Sequence, residues 1–283
     1  MAAVLCVGLA TLDVVQTVID FPAPGEKVQS VSVDLSPGGP AANAARAVAA
    51  LGGSASLLTA LGTDPLGSVV VSSLAPVDVH AVTGITPVSM VVVRESDGER
   101  IVVSHNAGSV LAGGDADALV SSADVVLVDG HHPALALAAA TSAKRSGLTV
   151  VLDAGSWKPV LDHLLPLVDV AACSSSFELS EDDLHARGVP LVIRTHGSAP
   201  VTWSRPSGAS GAVPVPSVDV KDTNGAGDVW HGAYALSLAR GTSLIDAIEE
   251  ASAAAAVRVG SAVGDWVREL ARWQDSRSGS TSS

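Results

Sequence analysis

The residues with the clearest chemical content stand at 222–228, Asp-Thr-Asn-Gly-Ala-Gly-Asp, running into a small and apolar stretch over 226–240 that reads as a helix. Gly225 and Gly227 let the backbone come close to a ligand. The amides of Gly225, Ala226 and Gly227 would open the helix, where unpaired N–H groups and the positive end of the dipole favour an anion. Asp228 stands where that anion would sit. A carboxylate there opposes a phosphate by charge, so its presence points to proton transfer: it would take the proton of a hydroxyl as that hydroxyl attacks a phosphoryl group. The plainer reading is a glycine-rich loop with an Asp in the first helical turn, favourable to the dipole and nothing more.

A second glycine stretch, Gly38-Gly39-Pro-Ala-Ala-Asn43, leads into an Ala-rich helix over 41–51, a strand over 54–61 and a turn carrying Gly62, Asp64 and Gly67. In order and separation the two stretches resemble the ribokinase (PfkB) family of carbohydrate kinases, and the likeness runs from residue 4 to about 262. It implies a three-layer α/β/α ribokinase-like fold with a small β-sheet lid. It also implies an ATP-dependent transfer of the γ-phosphoryl group to a hydroxyl of a small carbohydrate.

Residue by residue, the resemblance gives Asp228 the role of general base and makes 225–227 the anion hole. Gly38, Gly39 and Asn43 would address sugar hydroxyls, and Asp13, just after the first strand, would accept two of them. A solvated Asp ending a strand is the plainer reading of Asp13. Thr195-His-Gly197 is similar to the family turn that lines the nucleotide phosphates, joined there by Thr223, Gly225 and Gly227, with Ser252 near the adenine. Magnesium would be held through water by Glu178, and a monovalent cation, K⁺, would lie beside Asp222. The lids of family members also pair into homodimers.

The chain departs from the family in two places. Where members carry Asn-x-x-Glu, it reads Ser175-Ser-Phe-Glu178, and a serine hydroxyl has a shorter reach to a metal-bound water. Pro40 and Ala41 stand where ribokinase itself has Lys-Gly, which points away from ribose, while the stretches around 86–100 and 228–233 are similar to ketose-phosphorylating members. The rivals are a nucleoside kinase of the same family and a catalytically weakened sugar- or nucleotide-binding protein. Two Phe, one Tyr and five Trp offer little for a nucleoside base slot, whereas Ser175 keeps the weakened reading open. A dinucleotide oxidoreductase needs Gly-x-Gly-x-x-Gly after the first strand; the chain has Gly-Leu-Ala-Thr-Leu-Asp at 8–13.

Further residues attract attention by position. Asp129 and His131, in Asp-Gly-His-His-Pro, follow a strand at the carboxyl edge where open α/β sheets bind ligands, so both are candidate substrate contacts as well as plain loop residues. Lys158, Arg100 and His105 could reach the phosphoryl group or the sugar in the same way.

These residues need a scaffold. Short β-branched runs at 4–9, 54–61, 125–129, 149–153, 170–174 and 191–195 alternate with helical stretches at 41–51, 65–74, 133–146, 180–187, 226–240 and 243–259. That alternation predicts a parallel sheet covered on both faces. Asp97-Gly98 between 88–93 and 100–104 predicts a hairpin. With the extended stretch 14–33 it would form the lid, drawn from about 14–36 and 86–106. The kinase domain is expected over 1–275 and a flexible polar tail over 276–283.

Composition agrees. The chain is 47% hydrophobic and 16% charged, against about 25% charge in an average domain. Acidic residues outnumber basic ones 29 to 16, with no basic cluster, which argues against a nucleic-acid backbone as partner. The apolar N-terminus meets Asp13 too early for a membrane span. Cys6 and Cys173, far apart, suit a reduced cytoplasmic protein.

Overall fold

The computed structural model describes residues 1–106, 115–262 and 264–279. In chain order the strands are β1 (Ala3–Val7), β2 (Thr11–Val18), β3 (Ser32–Gly38), β4 (Ser54–Leu61), β5 (Asp78–Thr83), β6 (Val88–Arg94), β7 (Arg100–His105), β8 (Val125–Val128), β9 (Thr149–Ala154), β10 (Val170–Cys173), β11 (Leu191–His196), β12 (Ala199–Ser204) and β13 (Ser210–Val213). The helices are α1 (Pro40–Ala50), α2 (Pro65–Ser73), α3 (Ala116–Ser121), α4 (Pro133–Arg145), α5 (Leu161–Leu164), α6 (Glu181–Ala186), α7 (Ala226–Ala239), α8 (Leu244–Val259) and α9 (Trp266–Gly279).

Nine strands form the main sheet in the order β13-β12-β11-β10-β9-β8-β1-β4-β5. From β11 to β5 every pairing is parallel; β12 and β13 add an antiparallel edge. The central strands are buried along their whole length, and their residues divide by parity. Val4 and Cys6 of β1 join the core beneath α1, α7, α8 and α9. Leu5 and Val7 join the opposite core, beneath α4, α5 and α6. This is the three-layer α/β/α arrangement, and burial on both faces explains the near-continuous apolar strands.

A second sheet, β3-β2-β6-β7, stands apart from the first. β2 pairs in parallel with β6, and β3 and β7 close the two sides antiparallel. Its connections to the main body are short. Gly8, Leu9 and Ala10 separate β1 from β2, and β3 passes into α1 through Gly39 alone. Gly39 has φ +94°, and a Cβ there would lie 2.4 Å from the Leu9 carbonyl oxygen, so the junction requires glycine.

The structure corrects several boundaries. The first strand stops at Val7, two residues before its expected end. Strands β5, β12 and β13 and helices α3, α5 and α9 add to the expected elements. Helix α9 continues to Gly279, so residues 276–279, expected in the flexible tail, are helical. Residues 280–283 lie outside the described residues. Among the described residues no helix is long and apolar enough to cross a membrane.

Candidate active site

The parallel strands of the main sheet run in one direction, and Asp129, His131, Lys158, Glu178 and Gly197 follow their carboxyl ends. Gly225 caps α7 in the left-handed conformation, φ +71°, which places Gly225, Ala226 and Gly227 at its start and Asp228 in its first turn. A Cβ on Gly227 would meet only open space, so a ligand can approach that amide closely.

Asp228 does not stand alone. Its Oδ2 accepts a hydrogen bond from Asn43 Nδ2 at 2.9 Å. Arg46 fixes the other end of that amide, donating to Asn43 Oδ1 at 3.3 Å and to the Pro37 carbonyl at 3.1 Å. A short approach between helices makes this possible: a Cβ on Gly232 would come within 2.4 Å of the Ala44 carbonyl, so only glycine lets α7 lie this close to α1. Burial, and next the negative charge of Asp153, raise the Asp228 carboxyl to about 6, against the pull of the Asn43 hydrogen bond and of His231.

Behind Asp228, one helical turn on, His231 is buried with Asp153. Its Nε2 lies 3.2 Å from the Ala172 carbonyl, to which it donates, and its Nδ1 lies 3.3 Å from Asp153 Oδ2. Burial works to lower the His231 pKa, but Asp153 outweighs it and the net direction is up. Neither residue drew notice in the sequence; a His at the third position after the glycine-loop Asp was the available signal.

Asp13 lies at the other side of the cleft, on β2, with its carboxylate against Gly38, where a Cβ would fall 2.0 Å from Asp13 Oδ2. Burial, opposed by a Ser89 hydrogen bond and the Arg46 charge, raises it to about 6. The structure therefore gathers Asp13, Gly38, Gly39, Asn43 and Asp228 around the junction of the two sheets.

Asp129 is different from what its position promised. It is 2% exposed. Its Oδ2 accepts from the amides of Leu9 at 2.8 Å and Ala41 at 3.3 Å, and its Oδ1 from the amide of His131 at 2.9 Å. Burial pushes its pKa up, but the bonds from His131 and Leu9 outweigh this and hold the carboxyl below its usual range. The residue tethers the loop after β1 and the start of α1. His131 stays partly exposed beside it, Nδ1 3.3 Å from Asp129 Oδ1. Arg100 and His105 are exposed on β7, an edge strand, and Lys158 Nζ donates to the Ser156 carbonyl at 3.3 Å.

On the other side of the α7 start opens a cavity of about 530 Å³. Thr195, Gly197, Thr223, Gly227 and Ser252 all line it, with an apolar wall of Val215, Val218, Trp230 and Val259. Ser252 is 4% exposed and its hydroxyl accepts from Trp230 Nε1 at 3.2 Å, so it holds the tryptophan wall in place. Gly225 is the exception among the expected nucleotide residues: it faces Asn43 and Asp228.

Two implied ions fare differently. Glu178, on the loop after β10, accepts the Trp157 amide at 3.0 Å through Oε2, which fixes its carboxylate at the same sheet edge. That donor suits Mg²⁺, which takes one or two carboxylates together with waters and phosphate oxygens. The surroundings of Asp222 do not suit K⁺. Its Oδ2 is ion-paired with the guanidinium of Arg258, a residue only 3% exposed.

A glycine-opened helix start, with a carboxylate on one side and a largely apolar cavity on the other, fits a phosphotransferase of the α/β class. Residues 1–264 match the model of the pfkB family carbohydrate kinase, and the chain belongs to that family. It is a carbohydrate kinase, a phosphotransferase with an alcohol group as acceptor. The chain is 27% identical over 277 residues to the ribokinase of Haemophilus influenzae, covering 89% of this chain and 90% of that one. It is 29% identical over 279 residues to the ATP-dependent ribose-1-phosphate kinase of Halopiger xanaduensis, covering 92% and 93%. The structure of Arabidopsis thaliana ribokinase complexed with ribose and ATP shares the fold, with a TM-score of 0.79 at 22% identity over 96% of this chain and 98% of that one.

Proposed function

We propose that this kinase phosphorylates a hydroxyl of a small neutral sugar, with a ketose the leading class, and that Asp228 is its general base. The observation that carries the reading is the 2.9 Å bond between Asn43 and Asp228, which ties the sugar-side loop to the start of α7. The acceptor hydroxyl, oriented by Asp13 and the backbone at Gly38 and Gly39, gives its proton to Asp228. Its oxygen forms the new bond to the γ-phosphorus as the bond to the bridging oxygen breaks, and ADP leaves with that electron pair. The amides of Gly225, Ala226 and Gly227 would meet the charge on the transferred group, that of Ala226 on leaving the Thr223 carbonyl, to which it donates at 3.3 Å. Asn43 holds the Asp228 carboxylate in place.

A carboxyl near pH 6 is mostly ionised at neutral pH, yet basic enough to take a proton from an attacking alcohol. The cavity beside Gly227 suits the nucleotide, its apolar wall the base and Thr195, Gly197 and Thr223 the phosphates. When bound with ATP, Mg²⁺ would neutralise phosphate charge, with Glu178 holding it through water. The second sheet would act as a lid that excludes water as a competing acceptor. Two raised carboxyls at the sugar end, Asp13 and Asp228, favour a neutral polyol over a sugar phosphate.

Val31, Val33, Leu35, Ile101 and Val103 are exposed on the second sheet or at its margin, and we propose that a second copy of the chain covers them. Free, buried Cys6 and Cys173 are compatible with a reducing cytoplasm.

An ATP-consumption assay over ketoses, aldopentoses, sugar phosphates and nucleosides identifies the acceptor. With that acceptor, Asp228→Asn is expected to lower kcat by at least about 10²–10⁴-fold, the range of a lost general base, while ATP affinity is retained. Near-normal turnover would remove Asp228 from the role.

A further inference from the structure

We propose that Arg258 is a built-in cation that holds the anion-binding loop, so that the kinase runs without a monovalent metal ion. The proposal rests on the reading of 225–227 as the anion hole. Arg258 lies in the last turn of α8, 3% exposed. One of its terminal nitrogens bonds Asp222 Oδ2, and the other donates to the Asp222 carbonyl at 3.4 Å. Its guanidinium carbon sits 6.0 Å from the centre of the Trp266 ring, which packs on Arg46 at 4.7 Å as well. One indole thus lies against both the arginine that holds Asp222 and the arginine that holds Asn43.

Carbonyls at the end of α8, beside Asp222, already serve protein donors. The Val259 carbonyl accepts from Lys221 N at 2.9 Å and Asp222 N at 3.2 Å. The Val257 carbonyl takes the Ser261 hydroxyl at 2.6 Å, and the Arg258 carbonyl takes the Ser261 amide at 3.2 Å. A guanidinium keeps its charge when buried and gives several N–H groups in one plane, so it neutralises Asp222 and bonds its carbonyl together. A second cation beside it would meet like charge. The effect reaches the anion hole directly: Asp222 Oδ1 accepts from Asn224 N at 3.0 Å, the residue before Gly225. Arg258 is therefore a positioning residue for the loop whose amides receive the phosphoryl group.

The test measures affinity for a non-hydrolysable ATP analogue, with Mg²⁺, in KCl and in choline chloride at equal ionic strength. Sugar turnover plays no part in it, so an error in the acceptor or the base leaves its outcome readable. The wild-type affinity is expected to be the same in both salts; a gain of about fivefold or more in KCl, the lower end of ordinary site coupling, overturns the proposal. Arg258→Ala is expected to bind the analogue weakly in choline chloride and to recover in part with KCl, a rescue that general loosening of the fold does not give. Wild-type affinity of that variant in choline chloride overturns the positioning role, as does weak binding that KCl leaves unchanged. Should Arg258→Ala not fold, Arg258→Lys keeps one charge but fewer bonds: it is expected to bind more weakly than wild type and equally in both salts. Recovery of that lysine variant in KCl overturns the proposal.

Discussion

Asn43 is bonded on both sides of its amide, by Arg46 at the oxygen and by Asp228 at the nitrogen, and the orientation follows from those partners. An arginine only donates, so the amide oxygen must face it and the NH₂ must face the carboxylate. That donor favours the charged form of Asp228. Removing it in Asn43→Ala is expected to move the Asp228 pKa further up, so that the proposed base would be protonated over more of the acid range. The expected result is a kcat/KM profile whose acidic limb, near pH 6 in the wild type, shifts to higher pH. The loss of rate is then larger at pH 6.5 than at pH 9. A uniform loss at all pH values would show that Asn43 serves the sugar instead. Asp13, likewise near 6, titrates in the same window, so Asp13→Asn is the control that separates the two.

At the scale of elements, the Asn43–Asp228 pair depends on how closely α1 and α7 pack. Gly232 sits where their backbones touch, with no room for a methyl group next to the Ala44 carbonyl. Gly232→Ala is expected to cost about 1–3 kcal/mol, the usual penalty for overpacking, read as a lower urea midpoint. It should also lower kcat, because Asn43 and Asp228 ride on the two helices being pushed apart. Full activity in a destabilised protein would uncouple the packing from the site. Asp129 works at the same scale, taking backbone amides from two segments, Leu9 and Ala41, that carry the sugar-side loop. Gly8 keeps room for it: a Cβ there would overlap the Asp129 carboxylate at 2.0 Å.

For the whole molecule, the low charge and the acid excess become intelligible. A sheet buried on both faces consumes apolar residues, and phosphate can be met by backbone amides and a helix terminus rather than by lysines. Part of the apolar surplus reaches solvent on the second sheet, with Val103 at 67% exposure. Sedimentation velocity is expected to show a dimer, and Leu35→Lys with Val103→Lys a monomer. A wild-type monomer at micromolar concentration would leave that face without the proposed occupant.

What the sequence by itself determined is local. The spacing in 222–228, the Gly38-Gly39-Asn43 stretch, the Asp-Gly hairpin and the alternation of strand and helix are each written in neighbouring residues, whose φ, caps and periodicity act over a few positions. Gly52 and Gly241, two positions past the ends of α1 and α7, both take positive φ. Tertiary structure decided whatever depends on partners far along the chain. Asp129 and Asp13 look alike as acidic residues near strand ends; only the fold gives one a ring of amides and leaves the other at the cleft. Asp222 looked like a cation ligand until α8 brought Arg258 to it from 36 positions away. Burial and charge pairing are sums over all neighbours in space, and no stretch of sequence contains that sum.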